Sequence, residues 1–256
     1  MKHQFAGRAA ALLCAVMSAV ITGCDSDSSE ADTSGTTPAT AAKHPFDTMT
    51  PRQIDDMARE AVRDVTSMRL TGKVISDGRP IAVDLAMDIH GSCNGTVGNS
   101  QGTMHLVKKG SRVHVKAGED FWRATFSREM TSEQAEEMVA LFKRHWIKPP
   151  IMMSEKLGRI CDGLDALIES VDPVSDGQAT READATVDGR PAAVLTERST
   201  TRTTTVYIAK EGKPYLLRGT VSGGDEPMDL TFTDHNKPVD TSSPPPDQIL
   251  DPTKLR

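Results

Sequence analysis

Residues 81–90 read IAVDLAMDIH and alternate strictly between two kinds of side chain. The odd-numbered positions are all large and apolar, whereas the even-numbered positions are alanine, aspartate or histidine. Side chains of a β-strand point alternately to its two faces, so this period of two puts every large apolar group on one face. The stretch therefore predicts an antiparallel strand with one buried face and one wet face.

Shorter stretches on both sides of this strand show similar alternation or β-branched character and are separated by turn signals. They cover residues 68–74, 104–106, 113–115, 122–126, 185–187, 193–195, 203–209, 214–221 and 228–232. Three segments instead space their apolar residues as a helix does, and these are 50–65, 131–146 and 157–171. The first two open with capping boxes at Thr50 and Thr131, and glycines weaken the third, for which two short helices are the alternative. The order helix, strands, helices, strands predicts an α+β fold built on one antiparallel sheet.

The first 23 residues have the composition of an export signal. Lys2 and Arg8 carry positive charge, and residues 9–21 are almost wholly apolar but shorter than the roughly 20 residues of a membrane-spanning helix. Residues 21–24, ITGC, then match a lipobox, in which the Cys24 thiol receives a diacylglyceryl group and the chain is cleaved before it. Because two acyl chains anchor a protein stably, we predict a lipoprotein at the extracytoplasmic face of the cell membrane. The alternative is an ordinary secretory signal with a chance cysteine.

These features divide the chain into a signal peptide (1–23), the lipidated cysteine with a flexible tether (24–45), and a folded domain with a proline-rich tail (46–256). The tether is too polar to fold, and as a flexible coil it would reach roughly 25 Å. Loss of the signal removes two basic residues and no acidic ones, which leaves 28 basic and 36 acidic residues and a net charge of −8. This acidic surplus argues against a nucleic-acid partner, which calls for a basic footprint.

Two cysteines remain in the folded domain, Cys93 and Cys161. Export would place them in an oxidising compartment, where cysteine pairs usually form disulfides. The alternatives are two free thiols or half of a metal site, although the chain has no CxxC spacing and no histidine at ligand distance along the sequence. We predict a disulfide and no bound metal.

Catalytic motifs are absent from the sequence. It has no G-x-S-x-G, H-E-x-x-H, P-loop or dinucleotide fingerprint, and its histidines are scattered. We therefore predict a protein that is not an enzyme, with no catalytic residues and no cofactor.

Several segments resemble the LolA-like superfamily, and within it the LppX/LprG branch of actinobacterial envelope lipoproteins. They are the opening helix leading into 68–72 (MRLTG), then 93–96 (CNGT), 113–116 (VHVK) ahead of 121–123 (FWR), and 231–234 (TFTD) leading into 237–239 (KPV) and a proline-rich end. The resemblance covers most of the mature chain. It implies a sheet curled into an open half-barrel, helices over its concave side, and a cavity between them for acyl chains. The few aromatic residues of this chain argue against a very large cavity.

The resemblance implies a lipid or a lipidated molecule as the ligand, because an acyl chain needs a concave apolar site and each buried CH₂ contributes roughly 0.8 kcal/mol. The predicted lining is apolar throughout and comprises Val83, Leu85, Met87, Met104, Leu106, Val115, Met138, Leu141, Phe142, Leu164, Leu167, Ile168, Val206, Ile208, Leu217, Leu230 and Phe232. Methionines, with Met152 and Met153 in addition to those of the lining, would adapt to chains of variable shape. The simpler interpretation of the same residues is a filled core.

Two functions fit these observations. The first is a membrane-anchored lipoprotein that binds a hydrophobic ligand, with transfer across the envelope as one use of that binding. The alternative is an envelope sensor or interaction module that binds a membrane-protein partner.

Overall fold

The structure of the protein is a computed structural model that describes residues 44–164 and 179–255. The predicted signal peptide, the lipidation site at Cys24 and nearly all of the tether lie outside the described residues, as do Leu167 and Ile168. The description below concerns the folded part of the chain from residue 44 onward.

The described residues form four α-helices and twelve strands. The helices are α1 (Pro51–Arg63), α2 (Glu119–Phe126), α3 (Ser132–Phe142) and α4 (Ile151–Gly158), and a 3₁₀ turn, Arg159–Asp162, follows α4 directly. The strands are β1 (Ser67–Ser76), β2 (Arg79–Asp88), β3 (Cys93–Asn99), β4 (Gly102–Lys109), β5 (Arg112–Ala117), β6 (Trp146–Ile147), β7 (Ala179–Val187), β8 (Arg190–Arg198), β9 (Arg202–Ala209), β10 (Leu216–Gly223), β11 (Met228–Thr233) and β12 (Ile249–Leu250).

All twelve strands belong to one curved sheet that does not close, in the order β12-β6-β5-β4-β3-β2-β1-β11-β10-β9-β8-β7. Every neighbouring pair is antiparallel except β6 and β12, which run parallel. The first strand lies in the middle of the sheet, where Leu70 pairs with Leu85 of β2 on one side and with Phe232 of β11 on the other. The predicted α+β fold with a curved, open antiparallel sheet is confirmed.

The alternation in residues 81–90 determines which face of the sheet is covered. Leu85 and Met87 are each only 2% exposed, and Val83 packs beside them against the same hydrophobic cluster. Three helices, α2, α3 and α4, contribute side chains to this cluster, and α1 covers the part of the same face formed by β8 and β9. The helices thus lie over one face of the sheet, as expected for its concave side.

The prediction of a strand through residues 122–126 is wrong, because residues 119–126 form helix α2. A helix brings positions four apart onto one side, so Trp122 and Phe126 stack 5.8 Å apart between ring centroids, and both contact the ring of Phe142. Alternation across three residues could not distinguish this aromatic cluster from a strand. The acidic Glu119 and Asp120 in the first turn also favour the helix through its dipole.

The boundaries of the next two helices also differ from the prediction. Helix α3 ends at Phe142, and Trp146 with Ile147 forms β6, which lies between the edge strand β12 and β5, where Ile147 pairs with Val115. Helix α4 begins at Ile151 instead of residue 157, with Pro150 as its N-cap. Pro149 and Pro150 therefore lie between strand β6 and helix α4, and they do not mark the end of α3.

The chain that follows β11, here called the C-terminal segment, crosses the other face of the sheet. The hydroxyl of Ser67 donates a hydrogen bond to the carbonyl of Lys237 (2.6 Å), and the Asn94 amide donates to the carbonyl of Asp240 (2.6 Å). At its far end the segment forms β12, which the expectation of a simple extended tail did not include. The segment therefore contacts β1, β3 and β6 in turn and connects these three strands.

Gly72 is a position in β1 that we expect to tolerate no side chain. Its φ is +143°, and a Cβ built there would lie 2.0 Å from the carbonyl oxygen of Asp229. We predict that Gly72→Ala lowers the free energy of unfolding by about 3 kcal/mol, because the strain requires β1 and β11 to separate. Urea unfolding followed by tryptophan fluorescence measures this change.

Gly78→Ala is the matched control. Gly78 also has a positive φ, +70°, but a Cβ there meets nothing within 4 Å. Gly78→Ala should lower the free energy of unfolding by only about 1 kcal/mol, which is the penalty of the left-handed conformation alone. Equal losses in the two variants would contradict a steric role for Gly72.

Candidate functional site

Most of the predicted lining residues lie together in one hydrophobic cluster, here called the main cluster. Its members among the predicted residues are Val83, Leu85, Met87, Met104, Leu106, Val115, Met138, Leu141, Phe142, Leu164, Leu230 and Phe232. The most enclosed of them, Leu106 and Leu164, are 0% and 1% exposed. Side chains this enclosed touch one another, so in this conformation the main cluster is a packed core between sheet and helices.

Three predicted lining residues lie elsewhere. Val206 and Ile208 pack beneath α1, in a second cluster with Phe46 and Ile54. Leu217 joins a third cluster with Val187, on the face of the sheet opposite the main cluster. An irregularity in the β9–β10 pairing between Leu216 and Arg218 disturbs the alternation there, and Leu216 is the residue that faces the main cluster.

A groove of about 840 Å³ opens beside the main cluster, between the β4–β5 hairpin and α4. We call it the α4 groove. Its charged and titratable lining consists of Lys108, Arg112, His114, Lys148, Glu155, Arg159 and Asp162, and the remaining lining consists of Gly110, Ser111, Val113, Pro149, Ile151, Ser154 and Gly158. Val113 belongs to both the groove wall and the main cluster, so the groove reaches the apolar interior at this residue.

A disulfide and two contacts of Lys108 hold the C-terminal end of α4 against the sheet, and the residues of the Lys108 contacts line the groove. The predicted disulfide is present, joining Cys161 of the 3₁₀ turn to Cys93 of β3, with the Cα atoms 5.4 Å apart. The Lys108 ammonium donates to the carbonyl of Gly158 (3.3 Å) and pairs with the carboxylate of Asp162 (3.0 Å). These contacts fix where α4 ends, and β6, whose Ile147 pairs with Val115, fixes where the chain enters α4.

The first turn of α4 exposes three consecutive apolar side chains. Ile151 is 78% exposed, Met152 85% and Met153 49%. Soluble surfaces carry isolated apolar residues routinely, but a contiguous exposed group marks an interaction site. Met152 and Met153 were proposed from the sequence as adaptable contacts, and the structure places both in the first turn of α4, outside the main cluster and outside the lining of the groove.

Positive charge faces the groove from both walls. Arg112 and Arg159 are exposed, and neither forms an ion pair with another residue in the described ranges 44–164 and 179–255. Lys148 lies at the same groove, and its ammonium is 3.1 Å from the carboxylate of Asp251. Two guanidinium groups that have no ion-pair partner among the residues that the structure describes suit an anionic group of a ligand.

His114 lies in the groove wall and is only 7% exposed. Burial lowers the pKa of its imidazole below the usual value, and the charges of Arg112 and Lys148 lower this pKa further. His114 is therefore held neutral near pH 7, and the positive charge of the groove comes from its lysine and arginine residues.

The polar half of the groove was not predicted from the sequence, because Arg159 is far along the chain from the hairpin residues Lys108 and Arg112, and the three match no motif. One signal was available at residues 151–153. Three consecutive apolar residues at the start of a helix cannot all point to one side, so at least one must face away from the core.

No cluster of three or more histidine, cysteine, aspartate or glutamate side chains suited to a metal ion occurs within the described parts of the chain. Over the same residues, no helix has the length and apolar character needed to cross a membrane.

Known proteins were compared with the chain at the levels of sequence and structure. No protein-family model and no curated protein sequence matches it. Among solved structures, LprF from Mycobacterium bovis superposes with a TM-score of 0.50 at 13% identity, and the match covers 75% of this chain and 96% of LprF. The chain has the LprF fold. The lipoprotein LppX from Mycobacterium tuberculosis aligns with a TM-score of 0.46 and 16% identity over 75% of this chain and 97% of LppX.

The likeness to LprF concerns the fold, and it confirms the LppX/LprG-type architecture that the sequence resemblance implied. At this level of identity, arguments about the ligand depend on the groove of this chain and on its own side chains.

The Cys93–Cys161 bond should contribute strongly to stability, because it closes a loop with a sequence separation of 68 residues. We predict that replacing both cysteines by alanine lowers the free energy of unfolding by about 4 kcal/mol, as expected from the entropy of a loop of this length. Urea unfolding of the double variant and the wild type measures the difference. A reducing agent should lower the wild-type midpoint and leave that of the double variant unchanged; equal responses would contradict the prediction.

The lowered pKa of His114 predicts a dependence of stability on acid. Because the folded-state pKa lies below the unfolded-state value, protonation favours the unfolded chain, so stability is full above about pH 6.5 and falls as the pH drops through the folded-state pKa. The free energy of unfolding of the wild type should therefore fall as the pH is lowered from 7.5 to 5. The free energy of unfolding of His114→Gln should fall less over the same interval. His90→Gln, which changes an exposed histidine, is the control and should follow the wild type.

Proposed function

We propose that this protein is an envelope lipoprotein, anchored by acyl chains on Cys24, that binds a lipid or lipidated molecule at the α4 groove. One observation carries the proposal, namely a groove that combines exposed apolar side chains, arginines without ion pairs among the described residues, and a wall shared with the apolar interior. An amphiphile with an anionic headgroup has the matching chemistry.

The size of the groove supports this ligand class. A volume of about 840 Å³ lies within the range of about 300–1,000 Å³ that is usual for small-molecule sites. An acyl chain gains affinity from each CH₂ that leaves water, and Ile151, Pro149 and Val113 supply apolar contacts along the groove. The headgroup would lie near Arg112 and Arg159, where a phosphate or carboxylate can accept paired hydrogen bonds.

The interior offers a route for a longer chain. Met87 lies beside Gly163, since a Cβ built on that glycine would be 3.7 Å from the Met87 sulfur, and Met138 contacts the same main cluster from α3. Methionine side chains adapt to irregular shapes at small cost. A chain that enters past Val113 would displace such side chains without moving the strands.

Native mass spectrometry of the full chain, expressed with its export signal, tests the proposal. We expect adducts whose masses match lipids, which organic solvent extracts and which reappear after incubation with host lipids. A single bare mass under all of these conditions would contradict lipid binding and would favour the alternative, a module that binds a membrane-protein partner.

Ser154→Trp should block the site, because residue 154 lies in the groove wall and an indole there would occupy the volume that the ligand needs. We predict at least a tenfold loss of affinity for a fluorescent anionic lipid, measured by titration. Ser100→Trp, in the exposed β3–β4 turn, is the matched control and should bind as the wild type does. If both variants bind equally well, the groove is not the lipid site.

A further inference from the structure

The apolar first turn of α4 and the start of the folded domain lie at the same end of the sheet. In the antiparallel sheet, the turns after β2, β4, β7 and β9 all lie at one end. The residue pairs next to these turns are Met87–Cys93, Lys109–Arg112, Val187–Arg190 and Ala209–Ala192. Strand β6 runs toward this end, and α4 begins four residues after it. We call this the His44 end.

The chain enters the fold at this end through His44. The His44 ring is hydrogen-bonded to the backbone carbonyl of Lys210, just after β9. The Lys210 ammonium in turn pairs with Asp47 (3.1 Å) and with Asp184. Phe46, only 4% exposed, is buried in the cluster beneath α1. The predicted tether therefore joins the described part of the domain at the His44 end.

Exposed apolar side chains gather at the same end. Ile151, Met152 and Met153 project from the first turn of α4, and Ile89, in the β2–β3 connection, is 38% exposed. Two exposed basic residues, Lys109 and Arg112, flank the β4–β5 turn next to them, and neither has an ion pair within the described parts of the chain. Apolar groups beside basic groups match the chemistry of a bilayer, whose acyl region accepts the former and whose phosphates attract the latter.

We propose that the His44 end is a membrane-docking surface, which inserts the first turn of α4 and Ile89 among the lipids of the bilayer to which the chain is tethered. The proposal uses the predicted anchor at Cys24 but is independent of the identity of the ligand in the α4 groove. A tether that reaches roughly 25 Å keeps this end close to the bilayer, so weak contacts suffice because the local lipid concentration is high. The mouth of the groove then opens at the lipid surface.

The negative charge of the whole chain does not oppose this docking. Charges more than about 8–10 Å from the contact are screened at physiological ionic strength, so the residues near the first α4 turn matter most, and they are the basic Lys109 and Arg112 with the acidic Glu155. Insertion of apolar side chains supplies the remainder of the attraction, and salt weakens that part little.

Fluorescent labels at single cysteines test the proposal in the full chain, isolated with its acyl anchor and reconstituted into vesicles of phosphatidylcholine and phosphatidylglycerol. Cys24 is then acylated and Cys93 is bonded to Cys161, so an introduced cysteine is the only free thiol. Met152→Cys and Ile89→Cys place an NBD group at the docking surface, and Ser100→Cys places one at the opposite end of the sheet. The mass of the N-terminal peptide reports the anchor separately.

We expect NBD at positions 152 and 89 to shift to shorter emission wavelength and to lose at least half of its intensity when the lipids carry brominated acyl chains. The label at position 100 should show neither change. Labels at 152 and 89 that behave like the label at 100 would overturn the proposal. So would a shift that needs no lipid and grows with protein concentration, because it would indicate a second copy of the chain.

A lipid bound in the groove must be distinguished from the bilayer. Ile89 does not line the groove, and Ser154→Trp blocks it. Quenching at position 89 that persists in Ser154→Trp supports docking even if native mass spectrometry finds no lipid in the groove. Quenching that is confined to position 152 and vanishes in Ser154→Trp would assign the signal to the groove ligand and overturn docking.

Discussion

The attachment of α4 to the sheet at its C-terminal end is the constraint on which the site depends. The Cys93–Cys161 bond and the Lys108 ammonium act within a few residues of one another, where the 3₁₀ turn meets β3 and β4. Strand β6, whose Ile147 pairs with Val115, positions the start of α4, and the groove lies between these attachments, α4 and the hairpin.

The apolar residues of the protein divide into two populations with different roles. Those of the main cluster are packed between the sheet and α2–α4, and they account for the fold without a ligand. Those of the first α4 turn contact little of the protein, although burying each would contribute about 1.5–3 kcal/mol. This unused stabilisation is available to another molecule, and it is why we propose the site at the edge of the main cluster and not within it.

Much of the architecture follows from local patterns in the sequence. Strict alternation in residues 81–90 identified the buried face of β2, and the capping boxes at Thr50 and Thr131 gave the starts of α1 and α3. These features succeed because each depends on neighbours within a few residues. The oxidising compartment implied by the export signal was enough to pair Cys93 with Cys161.

The errors occur where tertiary contacts decide between local alternatives. Residues 119–126 alternate weakly and also suit a helix, and the ring of Phe142 selects the helix. An irregular β9–β10 pairing turns Leu217 to the other face, which no periodicity reveals. The α4 groove is assembled from a hairpin, a helix and a 3₁₀ turn that only the fold brings together, so its basic residues carried no signal in the sequence.

The central position of β1 also determines when the fold can be completed. Strands β1 to β5 form one run of sequential neighbours and β7 to β11 form another, and the two runs meet only where β1 pairs with β11. Ordering the long chain between these partners costs entropy before their hydrogen bonds form. If the chain is exported N-terminus first, its first strand must wait in the translocating chain until nearly the whole sequence has emerged. Because β1 and β11 pair late, the chain can stay unfolded while it crosses the membrane. Until β11 pairs with it, β1 has an unpaired edge that can aggregate and needs protection.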